Sequence, residues 1–519
     1  MAATHALLAE EMSVIEWNAQ FLGVTRQLLM ENAGRAVASE ILRRFKKLPS
    51  VAIFAGLGGN GGDGFVAARH LAPRCRQVRL VVLGNPSTIQ NAPAFTNWQI
   101  IEKMRHSVDF HIVRDSSELP DFQTTVVVDA LLGTGVMGKP RQPIVKALQK
   151  MNQMEAYKVA IDIPTGIHPN TGEPTIPDAF QPDLTITFHR PKLGLVRNKE
   201  RVGKVVVADI GIPPEAELYV GPGDVIHATQ PRSIFAKKGD FGRLLIIGGS
   251  PQYIGAPILA SIGALRSGVD LVYLAAPTQV IIAATSQSPD IIPVMLQSDK
   301  LTNQDLPQIE IALTNIQAVL VGPGLGSHHE TLDTIGQILT MANKMEKPLV
   351  IDADALRVVS RIMNIGANTV ITPHAGEFKR IAGFDVALPL LQRAQQVRNL
   401  AKKLKSIVLL KGPVDIVSTP NETRLNWTGH PAMSVGGTGD VLAGLVAGFR
   451  AQGINSFQSA CAATFVNGAA GLLAFQEKGP GLIALDLGEY IPHVLANPMA
   501  SPIAYNMRIP IFDHTKEAD

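Results

Sequence analysis

Two glycine clusters, each lying between an apolar run and a helical stretch, carry the chemistry open to this sequence. The first, Gly56 to Gly64, packs six glycines into nine residues after the strand-like run Val51–Ala55 and opens a helix through Ala67 and Leu71. Strand, glycine turn and helix aim backbone N–H groups at a phosphate, and glycine serves where a Cβ would block close approach. Gly56, Gly58 and Gly61 satisfy G-x-G-x-x-G, but the dinucleotide fingerprint also needs an acid at the end of the next strand. That place holds Leu83-Gly84-Asn85-Pro86, so a standard Rossmann cofactor site is not expected. A second loop, Asp129 to Pro140, approaches a P-loop up to Lys139, but Pro140 has no hydroxyl for magnesium, and that reading fails. A third strand ends in Asp162-Ile163-Pro164-Thr165-Gly166. Ligands of open parallel sheets bind at the carboxyl ends of strands, so the three loops should converge. Asn60, Asp129 and Thr165 offer oxygen donors suited to a hard cation. Taken singly, Asp129 or Asp162 reads equally as a loop or helix cap.

The second cluster, Gly436-Gly437-Thr438-Gly439-Asp440, precedes the apolar helix that starts at Val441. A helix N-terminus carries roughly half a positive charge and free N–H groups, and glycines leave it open to a phosphate. Asp440 is placed either to poise a hydroxyl for attack, as a general base, or to cap the helix; a cap accounts for the aspartate but not for the small residues before it. Other strand-end groups fit the same site: Lys411 to Asp415, Gly322 to Gly326, Asp352 with Asp354, and Thr372-Pro373-His374-Ala375-Gly376-Glu377. Lys411 offers a cation to a nucleotide. His374 lies between a proline and a glycine in its loop, which favours a ligand contact over a structural histidine. Asp352 and Asp354 either organise water or magnesium or bond loop backbone. Trp427 and Tyr253 read equally as base-stacking or core aromatics.

The elements that must position these groups are α/β throughout. Helix is expected over 13–45, interrupted at Gly23. Strands are expected at Val51–Ala55, Val78–Leu83, Val126–Ala130, Val159–Ile163, Leu184–Phe188 and Val205–Ile210, and many are continuous β-branched runs of the kind that fill a parallel sheet. A proline- and glycine-rich stretch, Gly211–Asp224, reads as a linker or domain edge. A second series follows: Leu244–Ile247, Leu271–Ala275, Ala318–Val321, Leu349–Ile351, Val370–Thr372, Ile407–Leu410 and Val414–Val417, then one long helical stretch over 441–475. The 519 residues thus divide into two unlike α/β domains, placed at 1–215 and 225–505.

Composition sets the outer bounds. With 47 basic and 44 acidic residues the net charge is +3, which argues against nucleic acid or an anionic membrane as partner. Two cysteines, Cys75 and Cys461, cannot build a disulfide framework or a four-cysteine metal site. No run reaches the roughly 18 apolar residues of a membrane span. Glu10, Glu11 and Glu16 sit where a transit peptide avoids acid, so a cytoplasmic setting is the expectation.

Leu29-Met30-Glu31-Asn32-Ala33-Gly34, the glycine loop through Asp63-Gly64, Asp129 through Lys139, and Asp162 to Gly166 together resemble the NAD(P)H-hydrate epimerase domain over residues 10–215. The resemblance implies a Rossmann-like three-layer αβα domain that interconverts the R and S forms of hydrated NAD(P)H. It implies that Gly59, Asn60, Gly61, Gly62 and Asp63, with Gly133, Thr134, Gly135, Val136, Met137, Gly138 and Lys139, cradle the ligand and that Asp162 contacts it. It also implies that Asn60, Asp129 and Thr165 bind potassium. Gly59 stands where the family often carries a second asparagine. Epimerisation at a hydroxyl-bearing carbon beside a ring nitrogen would be helped by an acid–base group, and Asp162 is the candidate.

Over 230–500 the sequence resembles the ribokinase-like superfamily and, within it, the NAD(P)H-hydrate dehydratase domain. Gly248-Gly249-Ser250, Gly255-Ala256, Ala264 to Gly268, Thr372 to Glu377 and Gly436 to Asp440 carry this resemblance. It implies dehydration of the S hydrate at the expense of a nucleotide, and the fused arrangement, which looks prokaryotic, implies ADP, giving NAD(P)H, AMP and phosphate. By resemblance Ala256, Gly324 or Gly326, and His374 face the hydrate; Lys411, Gly412, Pro413, Val414, Asp415 and Gly439 face the nucleotide; Asp440 reaches the hydrate and is catalytic. Magnesium is expected with the nucleotide, with no ligands assigned, and a homo-oligomer is expected by analogy. The competing expectations are a ribokinase-like small-molecule kinase fused to a non-catalytic Rossmann-like domain, and a scaffold like those of mRNA decapping proteins.

Overall fold

The computed structural model describes residues 6–136, 138–229, 231–361 and 365–502. The chain divides into two compact units between Pro214 and Glu215.

The first unit is built on a parallel sheet of seven strands: β1 (Ser50–Ala55), β2 (Gln77–Leu83), β3 (Asp109–Val113), β4 (Val126–Ala130), β5 (Tyr157–Ile161), β6 (Leu184–Phe188) and β7 (Lys204–Ala208). Their order is β3-β2-β1-β4-β5-β6-β7. From β1 the chain winds outward through β2 and β3, then returns to β4 on the other side. The β1–β4 seam is therefore the switch point where open α/β sheets bind ligands. The core strands are apolar almost throughout because both faces are covered; β4 is fully buried, including Asp129. β3 falls outside the sequence expectation because, as an edge strand, Asp-Phe-His-Ile-Val keeps two polar residues exposed and has no continuous apolar run. The strand expected to run to Ile163 stops at Ile161, since Asp162 takes a left-handed φ of 66° and turns the chain out of the ladder.

Two helices replace the expected 13–45 stretch: α1 (Ala9–Phe21) and α2 (Arg26–Leu42), separated at Gly23, whose φ is 99°. The Thr25 hydroxyl caps α2 by accepting from the Leu28 N–H at 3.3 Å. Helix α3 (Gly59–Leu71) leaves β1 through the glycine cluster.

The second unit carries nine strands: β8 (Arg243–Ile247), β9 (Leu271–Ala276), β10 (Ile291–Met295), β11 (Ala318–Val321), β12 (Leu349–Ile351), β13 (Thr369–Ile371), β14 (Ile407–Leu410), β15 (Asp415–Ser418) and β16 (Thr423–Asn426). The order is β10-β9-β8-β11-β12-β13-β14-β15-β16, parallel as far as β14 and closed by two antiparallel strands. The sequence pattern does not show β10 or β16. Both are edges, and Pro293 sits inside β10, where only an edge strand tolerates it. The expected linker is also ordered: Glu215–Leu218 and Pro222–Ala228 are short helices of the second unit. Arg424 pairs with buried Asp224 at 3.2 Å and holds this segment to β16.

Helix α4 (Gly255–Arg266) follows β8, and the short α5 (Ala375–Ala382) follows β13. The long helix expected over 441–475 is two, α6 (Thr438–Ala451) and α7 (Ser456–Lys478). Gly453, at φ 89°, ends the first, and Asn455 starts the second by accepting from the Gln458 N–H at 2.9 Å.

Candidate functional site

In the first unit the glycine cluster divides into two kinds of position. α3 starts at Gly59, with Gly58 as its N-cap, so Gly59 to Gly64 form the first turns of a helix rather than a loop. A Cβ on Gly61 would come within 1.9 Å of the Gly56 carbonyl oxygen, one on Gly56 within 2.1 Å of the Leu131 carbonyl, and one on Gly62 within 2.6 Å of the Met30 side chain. These glycines let α3 pack closely on β1, α2 and the loop after β4, and their missing side chains face protein. Only Gly58, with nothing within 4 Å, and Gly59, 3.7 Å from Asn91, open onto free space. The expectation that the whole cluster exists to admit a ligand is corrected to that extent: what it can offer an anion is the unbonded N–H groups of the first helical turn.

Asn60 projects from that turn. It is 8% exposed, and neither its Oδ1 nor its Nδ2 has a hydrogen-bond partner. A buried amide left unsatisfied costs about 1–3 kcal/mol, so Asn60 has the free donor and acceptor capacity that a ligand or cation could take up. Gly133 lies against Asn60 and Asp162: a Cβ there would be 3.3 Å from the Asn60 Cβ and 3.5 Å from Asp162 Oδ2. The expected meeting of the three strand-end loops is therefore seen in these residues. Asp129 is fully buried at the end of β4. Its Oδ2 accepts from the Thr165 N–H at 2.7 Å, and its Oδ1 from the Thr165 hydroxyl at 2.8 Å and the Leu131 N–H at 3.1 Å. Burial pushes its carboxyl up to about 6 even against these bonds. A cleft between the second and third loops is lined by Leu132, Gly133, Val136, Gly138, Thr165 and Gly166. Thr134, Gly135 and Lys139 belong to the same loop, Gly135 and Lys139 being exposed; Met137 lies outside the described residues.

Asp162 is the most constrained of the expected residues. Its Oδ1 pairs with Lys192 Nζ at 2.7 Å and lies 3.4 Å from the Thr187 hydroxyl, while Oδ2 receives the Thr134 N–H at 3.4 Å. Around it stand Asp63 and Glu16. Burial, reinforced by the Asp162 charge, holds Asp63 well above the usual carboxylate range; burial also raises Glu16. Sequence reasoning does not single out Lys192, or Glu16 as a site residue. The signal that could have found the lysine is a fourth strand end: β6 carries Thr185 and Thr187 inside an apolar run, and Lys192 follows it.

In the second unit the charged groups gather at the start of α6. Gly437 takes φ 98° as its N-cap, and nothing lies within 4 Å of a Cβ placed on Gly436. Lys411 Nζ pairs with Asp352 Oδ1 at 2.7 Å and would be 3.3 Å from a Cβ on Gly439. The Thr372 hydroxyl donates to the same Asp352 oxygen at 2.7 Å. Burial opposes the charge on Lys411, but the carboxylates of Asp352 and Glu377 more than offset it and raise its pKa. Asp440 is pushed up to about 7, by burial first and then by Asp352, against the pull of Lys411. A carboxyl that titrates near neutrality beside a lysine, at a glycine-opened helix start, is suited to accept a proton from a hydroxyl.

The remaining expected residues have varied places. Gly326 donates its N–H to Asp354 Oδ2 at 2.8 Å. Gly324 lies against Ala256: a Cβ on the glycine would be 3.3 Å from the alanine methyl carbon. His374 caps α5: its Nδ1 accepts from the Gly376 and Glu377 N–H groups at 3.0 and 3.4 Å, and its ring is otherwise exposed. Its Nε2 lies 3.5 Å from Glu377 Oε1, so a ligand at that edge would share it with the carboxylate. In the 411–415 turn, Asp415 Oδ1 accepts from the Gly412 N–H at 3.0 Å and Oδ2 from Asn426 at 3.0 Å. Val414 buries its side chain in the core and Pro413 is exposed. Trp427 packs edge-on against Tyr219 at 5.6 Å, whereas Tyr253 is exposed. Among the described residues no group of three or more His, Cys, Asp or Glu side chains is arranged to hold a metal ion, and no helix is long and apolar enough to cross a membrane.

Comparison with known proteins covers both units. Residues 26–194 match the family described as YjeF-related protein N-terminus, and residues 244–493 match NAD(P)H-hydrate dehydratase. A bifunctional NAD(P)H-hydrate repair enzyme of Hyperthermus butylicus is 44% identical over 501 residues, covering 95% of this chain and 93% of the relative. One of Methanothermobacter thermautotrophicus is 44% identical over 496 residues, covering 93% and 94%. Among solved structures, the ADP/ATP-dependent NAD(P)H-hydrate dehydratase of Bacillus subtilis, co-crystallised with ATP and magnesium, is 25% identical, covers 54% of this chain and 98% of its own, and has a TM-score of 0.45.

Proposed function

The chain belongs to the bifunctional NAD(P)H-hydrate repair enzymes, and from that premise we propose which residues perform each half of the repair. The enzyme epimerises hydrated NAD(P)H in its Rossmann-like first unit and dehydrates it in its ribokinase-like second unit; the small-molecule kinase and scaffold readings are not favoured by a likeness that spans both units.

In the epimerase, the N–H groups opening α3 and the 133–139 loop receive the ligand, and Asp162 moves protons at the hydroxyl-bearing carbon. Protonation of the hydroxyl lets it leave as water, the ring nitrogen lone pair stabilises the cation, and water added to the other face gives the second epimer and returns the proton. The orphaned amide of Asn60 fits a potassium ion held with Asp129 and Thr165. Bound there, potassium supplies a fixed positive charge beside the ligand.

In the dehydratase, Asp440 accepts the hydroxyl proton of the S hydrate as the oxygen attacks the terminal phosphorus of the nucleotide, proposed to be ADP. AMP leaves, the open N–H groups of α6 receive the charge on the transferred phosphoryl group, and phosphate then departs as a good leaving group. Loss of the ring proton completes NAD(P)H.

The observation that carries this assignment is Asp440, held near 7 beside Lys411 at a helix start opened by Gly436. Two variants test it. Asp440→Asn is expected to lose nucleotide-dependent NADH formation from the S hydrate while still equilibrating the epimers; Asp162→Asn is expected to do the reverse. Loss of both activities in either variant would contradict the assignment.

A further inference from the structure

We propose that Lys192 is a positioning residue for epimerisation: it holds one oxygen of Asp162 and so leaves the other turned toward the ligand loop. This rests on the reading of Asp162 as the acid–base group.

Lys192 is 1% exposed and ranks among the largest fully buried side chains of the described residues. Burying an ammonium is costly unless its hydrogen-bonding capacity is used. Here it is: Nζ reaches Asp162 Oδ1 at 2.7 Å, the Thr187 hydroxyl at 3.1 Å and the Phe188 carbonyl at 3.2 Å. The last two lie at the end of β6, and Asp162 lies just past the end of β5, its neighbour. The lysine thus ties two adjacent strand ends together at the residue where the chain leaves the sheet.

Asp162 needs that tie. Its φ of 66° is a conformation a non-glycine residue adopts at a cost, and such positions persist where the surroundings fix them. With Oδ1 held by Lys192 and Thr187, Oδ2 is the oxygen that meets the ligand loop, at the Thr134 N–H and beside Gly133. Around this pair stand Glu16 on α1 and Asp63 on α3, and Glu16 in turn faces Arg26 and His189. Lys192 is therefore a cation shared by three carboxyl groups, Asp162, Asp63 and Glu16, and its Nζ is anchored at the end of β6.

The N-terminal segment adds a second tie. The Leu193 N–H donates to the Leu7 carbonyl at 2.8 Å, and Leu7 bridges Lys192 as a parallel partner. The backbone on either side of the lysine is thus fixed independently of its side chain, so a shortened or neutral side chain at 192 changes the hold on Asp162 more than the path of the chain.

The test compares Lys192→Met, Lys192→Arg, Thr187→Val and Asp162→Asn in the full chain, measuring kcat and KM for epimerisation of the R hydrate. Dehydration of the S hydrate in the second unit serves as the internal control for intact protein. Lys192→Met is expected to lower kcat by at least about 10²-fold, the lower end of what a placed acid–base group contributes, with KM within about threefold. Lys192→Arg is expected to restore at least a tenth of the lost rate, and Thr187→Val, which keeps the charge and removes one anchor, to fall between. Should Lys192→Met not fold, the ordering of Lys192→Arg and Thr187→Val against the parent decides. A Lys192→Met enzyme with unchanged kcat, or one whose loss is equal in kcat and in the fraction of folded first unit, overturns the positioning role while Asp162→Asn remains inactive. Epimerisation surviving in Asp162→Asn overturns the underlying reading as well.

Discussion

Replacing Asp440 by asparagine should make the second unit more stable and catalytically silent at the same time. The carboxyl is held near 7 rather than at its ordinary 3.8, chiefly by burial and then by Asp352. Below about pH 4 both folded and unfolded chains carry the proton, and the residue is neutral to stability. Between there and pH 7 the unfolded chain ionises while the folded one keeps its proton, so folding loses free energy as pH rises; above 7 the loss is complete. At about 1.4 kcal/mol per tenfold the full loss is at most about 4 kcal/mol, and partial exposure of Asp440 reduces it to about 2 kcal/mol. Asp440→Asn removes that cost. Its advantage over the parent should be about 2 kcal/mol at pH 8 and should shrink steadily toward pH 4. Hydrogen exchange of peptides from α6 and β12 across this pH range reads the difference within the second unit. NADH formation from the S hydrate and nucleotide should fall by about 10²–10⁴-fold in the same variant. A variant that dehydrates within tenfold of the parent would rule out Asp440 as the base, and one whose stability advantage is no larger at pH 8 than at pH 5 would rule out its raised pKa.

Three further outcomes follow from the sites. Gly61→Ala forces a Cβ to within 1.9 Å of a backbone oxygen and should destabilise the first unit by about 1–3 kcal/mol, whereas Gly59→Ala, in open space at a helix start, should leave thermal stability unchanged or slightly raised while weakening hydrate binding. Asn60→Ala removes two unsatisfied buried atoms, so it should not lower the melting temperature, but it should abolish any dependence of epimerisation on potassium in a titration against sodium. Lys411→Met leaves Asp352 buried without its cation and should cost the second unit about 3 kcal/mol in denaturant unfolding, along with nucleotide binding measured by calorimetry.

Much of this architecture is legible in the sequence because parallel sheets buried on both faces write themselves as continuous apolar runs. β1, β2, β4 and β6 and most strands of the second unit can be read that way. β3, β10 and β16 cannot, because edge strands alternate, shorten or carry proline. The glycines are visible but their purposes are not. Gly61 and Gly59 are two residues apart in one motif, yet one packs against a backbone carbonyl and the other opens onto free space, a distinction set by how the helix lies on its neighbours. Asp440 is readable from its own helix start. Its neighbours Lys411, Asp352 and Glu377 come from separate strand ends, and only the sheet order brings them together. Lys192 is the hardest to read, since a lone lysine after a strand looks like surface until the fold buries it.

Repair of both epimers by one chain is the activity to measure. Its most direct measurement is the yield of NADH when the enzyme, potassium, magnesium and ADP are added to an equilibrium mixture of R and S hydrates, under conditions where spontaneous epimerisation is slow. Complete recovery of both epimers as NADH is expected, with one AMP and one phosphate formed for each. Recovery that stops at the S fraction, or phosphate appearing on the hydrate with no NADH, would contradict it.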